Sequence, residues 1–158
     1  MLHKIIQAQG GEVHYWIIKK ENASDCIVFT HGLIADHTMF EKQIPYFADD
    51  YTIILWDVPM HGLSKPYRQF SYRDTAEILH SILQEENIER TFLVGMSMGG
   101  YPSQHFADRY PNMVKGFVAL DTTPLGLRYY SKSDLWWLKQ AAPMAKCFTT
   151  SLLKKSVA

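Results

Sequence analysis

The residues whose types and spacing could do chemistry gather at four points. Gly95-Met96-Ser97-Met98-Gly99 sets a serine between two glycines in the pattern G-x-S-x-G. His31 and Gly32 close the apolar run 26–30, Asp57 closes the run 51–56, and Asp121 closes the run 114–121. A serine hydroxyl attacks a carbonyl only when it is exposed and a base takes its proton. A sharp strand-to-helix turn does the exposing: a side chain two residues away on either side would strike neighbouring backbone, so both positions require glycine. A helix beginning there aims free N–H groups and its positive dipole end at the serine, which favours a developing oxyanion.

These residues need elements to position them. Val13, Tyr15 and Ile17 alternate with Glu12, His14 and Trp16, which predicts a strand over 12–19, joined at Gly10-Gly11 to another over 3–8. The continuous apolar runs 26–30 and 51–56 predict strands buried on both faces, and further strands are expected over 91–96 and 114–121. Thr38 and Glu41 have capping-box spacing, so a helix is expected to start at Thr38, with Pro45 splitting it into short pieces. Ser71 and Asp74 repeat the cap signal before Tyr72, Thr75, Ala76, Leu79, Ile82 and Leu83, which share one helical face. A last core helix is expected over 98–109, with Pro102 in its first turn. Strand followed by helix, repeated, implies an α/β fold with a mostly parallel sheet and right-handed crossovers. Chemistry in such sheets sits at the carboxyl ends of the strands, where His31, Gly32, Asp57, Ser97 and Asp121 all fall.

Composition narrows the function classes. With 47% apolar and 20% charged residues in 158, the chain has the make-up of one globular domain with a real core. Sixteen basic residues balance sixteen acidic ones, so no net field favours nucleic acid, and basic residues are scattered apart from Lys154 and Lys155. Cys26 and Cys147 cannot make a disulfide framework, and Cys26 reads as a small buried hydrophobe. No stretch is apolar and long enough to span a bilayer, and residues 1–7 lack the pattern of a signal peptide, so a cytoplasmic location is expected.

Three segments together resemble the α/β-hydrolase superfamily, in particular its small esterase, thioesterase and lactonase members. Phe29-Thr30-His31-Gly32-Leu33 is similar to the family's oxyanion-hole loop, and Val94 to Gly100 to its nucleophile elbow. Asp57 to Ser64 is similar to its D-x-x-G-x-G-x-S turn, departing from it at Met60, where the family more often has glycine. The resemblance covers residues 1 to 121. It implies Ser97 as nucleophile and the backbone N–H groups of Leu33 and Met98 as oxyanion hole. His31 and Gly32 would shape the loop rather than act as base, and Asp57 would anchor its own turn. The implied division is a core over 1–121 and the start of a helical lid over 122–158. The implied fold is an α/β-hydrolase sheet truncated before its last strands.

In this family the acid and then the histidine follow the serine. The last histidine here, His105, lies eight residues past Ser97 and about two turns along the same helix, too far along to return to the serine oxygen. The chain is therefore expected to be the N-terminal half of such a hydrolase, with acid and histidine on roughly 100 further residues. Asp121 stands where a minority of the superfamily carries its acid; a turn or cap residue is the competing reading. His3, His14, His37, His61 and His80 occur singly without metal-ligand spacing, and no glycine-rich phosphate loop is present, so neither metal nor cofactor is expected.

Beyond Asp121 the chain becomes aromatic. Ser131 and Asp134 open a helical pattern, and Tyr129, Tyr130, Trp136 and Trp137, followed by Phe148, Leu152 and Leu153, could line an acyl pocket, pack a lid or meet a partner. The strand over 114–121 would be an open sheet edge, to be covered by a missing C-terminal segment or by a homo-oligomer. The expected activity is hydrolysis of a small carboxylic ester, thioester or lactone through an acyl-serine intermediate. The alternatives are a non-catalytic binding protein that keeps the fold, or a composite site completed by another chain.

Overall fold

A computed structural model of the protein describes residues 1–21, 25–68 and 70–145. Cys147, Phe148, Leu152, Leu153, Lys154 and Lys155 lie outside the described residues. The chain forms two compact units, Met1–Thr123 and Pro124–Ala158.

The first unit is built on a six-stranded sheet. Its strands are β1 (Leu2–Ala8), β2 (Gly11–Ile18), β3 (Cys26–Thr30), β4 (Thr52–Trp56), β5 (Thr91–Met96) and β6 (Val114–Leu120), in the spatial order β1-β2-β4-β3-β5-β6. β1 and β2 form the hairpin expected at Gly10-Gly11 and run antiparallel; β4, β3, β5 and β6 are parallel. Chain order runs from β3 outward to β4, then jumps back so that β5 pairs with the other side of β3. That reversal opens a crevice beyond the carboxyl ends of β3 and β5.

The runs 26–30 and 51–56 became the central strands because their side chains can be buried on both faces. All five residues of β3 are buried, as are four of the five of β4. One face packs Val28, Ile54, Trp56 and Leu93 under α2 (Tyr72–Glu85) and α3 (Gly100–Arg109). The other packs Ile27, Phe29, Ile53 and Leu55 against Phe40 and the short helix α1 (Ile44–Phe47). Trp16, which alternates with the Val13, Tyr15 and Ile17 face, is only 7% exposed: it joins the second core cluster, and His3 and His37 stack on its ring.

Helix starts obey their caps, with one correction. Ser71 caps α2, its Oγ accepting from the Asp74 N–H at 3.1 Å; the buried face holds Ile78 besides Thr75, Ala76, Leu79, Ile82 and Leu83, while Tyr72 is only half-buried. Thr38 does not cap a helix. Asp36 takes that role, accepting from the Thr38 N–H at 2.9 Å and from the Thr38 hydroxyl at 2.6 Å, and it opens only a single 3-10 turn, His37–Phe40. A carboxylate is the stronger acceptor and lies two residues earlier, so it takes the orphan N–H first. Pro45 stands in the first turn of α1, where its missing N–H costs nothing.

In the second unit, α4 (Lys132–Ala145) starts at Ser131, whose N–H donates to Asp134 at 2.9 Å while the Ser131 Oγ accepts from the Asp134 N–H at 3.1 Å. Trp136 and Trp137 meet edge to face, with centroids 4.9 Å apart. Among the described residues no helix is long and apolar enough to cross a membrane.

Candidate active site

Each of the four parallel strands leads, at its carboxyl end, to a non-glycine residue with left-handed backbone. These are Ile34 after β3 (φ 63°), Met60 after β4 (φ 69°), Ser97 after β5 (φ 49°) and Asp121 after β6 (φ 46°). Such a conformation costs an ordinary residue about 1–2 kcal/mol. Strain concentrated at one end of a sheet marks a functional edge. Glycine would adopt the Met60 conformation without this cost.

Ser97 leaves β5 and enters a 3-10 turn, Ser97–Gly99, that runs directly into α3. The helix expected from residue 98 is α-helical from Gly100, because the turn must tighten to reverse direction under the serine. Both flanking glycines are required by close approach. A Cβ on Gly95 would lie 2.6 Å from the Gly99 carbonyl oxygen, and one on Gly99 would overlap the carbonyl oxygens of Thr30 and His31. The elbow is thus wedged against the end of β3. Gly32 completes the contact: a Cβ there would lie 3.6 Å from the Ser97 Cβ.

His31 shapes this loop from inside. It is fully buried; its Nδ1 donates to the Gly32 carbonyl at 2.8 Å, and its Nε2 accepts from the Val58 N–H at 3.0 Å. Only the neutral Nδ1–H tautomer satisfies both bonds. Burial holds its pKa below the ordinary 6.5, against the opposing effect of the Gly32 bond. With both ring nitrogens engaged, His31 has no lone pair to offer the serine. Beyond it, Gly32 and Ala35 close a turn that leaves Leu33 64% and Ile34 82% exposed, whereas Met98 is buried.

Asp57 is buried and spends its oxygens on its surroundings. Oδ1 accepts from the N–H of His37 at 2.8 Å and from its Nδ1 at 2.9 Å, while Oδ2 accepts from the Leu63 N–H at 2.7 Å. Gly62 (φ 47°) comes so close that a Cβ would overlap the carboxylate. Ser64 Oγ donates to the Asp57 carbonyl at 2.8 Å and accepts from the His14 N–H at 3.0 Å, fixing the loop to β2. Asp36, His37 and Asp57 bring potential ligand atoms within 4.8 Å of one another. Their near oxygens already accept the hydrogen bonds just given, so the cluster is a knot of loop contacts.

The remaining sequence candidates separate. His105 lies on α3 and lines a small cavity between α2 and α3 with Arg73, Ala76 and Arg109. Asp121 is exposed and comes directly after Leu120, the register partner of Met96, so it leaves β6 beside the point where Ser97 leaves β5. The segment behind it is tied to α3, where Gln104 Nε2 donates to the Thr123 carbonyl at 2.9 Å and Tyr101 Oη lies 2.9 Å from Thr123 Oγ1.

The profile of the alpha/beta hydrolase fold family matches residues 25–151. The chain belongs to that family. Among its alpha/beta hydrolase relatives, a protein named as a putative esterase/lipase from Haemophilus influenzae is 24% identical over 89% of this chain and 50% of its own length. A 2-(acetamidomethylene)succinate hydrolase from Mesorhizobium japonicum is 30% identical over 68% of this chain and 39% of its own. The solved structure titled "Est816 as an N-Acyl homoserine lactone degrading enzyme" superposes with a TM-score of 0.70 and 23% identity, over 75% of this chain and 45% of that one. The chain spans half or less of the length of these alpha/beta hydrolases.

Proposed function

We propose that this chain carries the nucleophile half of a serine hydrolase acting on a small carboxylic ester, thioester or lactone. Ser97 Oγ attacks the substrate carbonyl, and the N–H groups of Leu33 and Met98 receive the negative charge that develops on its oxygen. The alcohol, thiol or ring oxygen leaves with a proton, and water then releases the acid from the acyl-serine. The proton-transferring histidine and its acid come from outside the described residues or from another chain, since His31 is committed to its loop and His105 lies along α3. The edge of β6, unpaired among the described residues, is covered in the working protein by a further C-terminal segment or a second copy.

One observation supports this reading above the others. Ser97 sits at φ 49° at the reversal point of the sheet, packed against Gly32 between two glycines that tolerate no side chain. The name of one relative, putative esterase/lipase, is in keeping with this bond class. Exposure to p-nitrophenyl acetate tests it. With imidazole supplied in place of the histidine base, the expected result is an acetyl group on Ser97, located by mass spectrometry and lost in Ser97→Ala. Acylation that persists in Ser97→Ala would overturn it.

A further inference from the structure

Histidines that stand apart in the sequence meet across the first hairpin. The register pairs His3 with Trp16 and Ile5 with His14, so His3 and His14 are diagonal neighbours on one face. His3 Nε2 and His14 Nδ1 lie 2.9 Å apart, with ring centroids separated by 5.1 Å and planes 19° apart. His3 is exposed and the His14 side chain is 14% exposed, so the pair is reachable from solvent yet held in place.

Two imidazole nitrogens in contact share one proton between two lone pairs, and a metal ion that displaces this proton is held by both. Nitrogens at right angles around an ion, each at about 2.05 Å, are about 2.9 Å apart, whereas a tetrahedral pair opens to about 3.3 Å. The separation here is that of a hydrogen bond, and a turn of either ring lets both lone pairs converge on one ion that takes imidazole ligands, as Cu(II) and Ni(II) do. The other nitrogen of His14 faces a carboxylate, Glu12 Oε2 at 3.9 Å, and Gln7 Nε2 holds that side chain by donating to Glu12 Oε1 at 3.0 Å. A carboxylate behind a ligating imidazole fixes its tautomer and raises its basicity.

We propose that His3 and His14 form a surface site for a divalent transition-metal ion of the copper–nickel type, with Glu12 as the carboxylate behind His14 and water at the remaining positions. The ion clamps β1 onto β2. The site is independent of Ser97.

Titrating the full chain with Cu(II) tests the proposal. Trp16 stacks on His3 with centroids 4.6 Å apart, so a bound paramagnetic ion quenches its fluorescence. The expected result is saturation at one equivalent, a metal-dependent rise in melting temperature, and affinity at least about tenfold weaker in both His3→Ala and His14→Ala. Glu12→Gln should weaken binding without abolishing it. Because His3 is on the surface of an edge strand, His3→Ala keeps the test decisive even if His14→Ala folds poorly. Unchanged affinity in His3→Ala would overturn the proposal. So would binding lost in His3→Ala but kept in a folded His14→Ala, which would place the ion at the start of the chain instead.

Discussion

At the scale of single residues, the site depends on side chains that are absent and on one that is locked. Gly99→Ala would drive a methyl into the carbonyl oxygens of Thr30 and His31. The elbow would have to move off β3, and the expected cost is about 3 kcal/mol or more, read as a shift in the urea midpoint. His31→Gln would leave the Val58 N–H and the Gly32 carbonyl poorly paired, at about 1–3 kcal/mol. The folded state lowers the His31 pKa, so its contribution is complete above the ordinary 6.5 and is lost as pH falls through its lower folded value. The wild type should therefore lose stability as pH falls from the ordinary 6.5 to that lower value, and His31→Gln should lose less over the same range. Ser97 and its glycines were legible because a sharp turn admits so few residue types. The exclusion of His31 as base was legible only through resemblance; its two hydrogen bonds supply the physical reason. Ile34 and Asp121 in left-handed backbone could not be read from sequence, since neither residue type signals that conformation.

At the scale of elements, apolar periodicity placed all six strands within about two residues, a scatter usual for strand and helix ends. α2 was legible from its cap and stripe. Ser71→Ala should cost about 1 kcal/mol by removing the acceptor for the Asp74 N–H. The same substitution at Thr38 should cost less, because Asp36 is the cap there. Capping-box spacing at Thr38 misleads because a better acceptor, Asp36, stands two residues upstream. The pairing of His3 with His14 was missed for a different reason. Metal-ligand spacing within one element spans short intervals, whereas a hairpin folds residues eleven apart onto one another. The turn at Gly10-Gly11, once located, would have yielded the register and with it the pair.

At the scale of the whole molecule, one buried carboxylate ties the hairpin to the helical layer. Glu86, just past α2, lies 2.6 Å from Lys4 Nζ and 2.8 Å from Lys19 Nζ, and accepts from Tyr15 Oη at 2.8 Å. Burial alone would raise its pKa, but hydrogen bonds from Lys19, Lys4 and Tyr15 together outweigh this and hold it below the ordinary 4.5. Its contribution is therefore present above the usual carboxylate range and lost as pH falls through the lowered value. Glu86→Ala should strand the buried Tyr15 hydroxyl at about 1–3 kcal/mol and remove that acidic step from the stability profile. Among the described residues no strand pairs with the opposite edge of the sheet. β6 leaves Val118 48% and Leu120 38% exposed, an edge of the kind that pairs with another strand.

The central claim is that the sheet's reversal point holds the exposed nucleophile of a serine hydrolase, and a mapped fluorophosphonate adduct, with imidazole supplied as the base, tests it most directly. After incubation, digestion and mass spectrometry, the account predicts phosphonylation concentrated on the peptide containing Ser97 and absent from Ser97→Ala. Labelling spread evenly over the other serines, or no labelling of Ser97 in the folded chain, would contradict it.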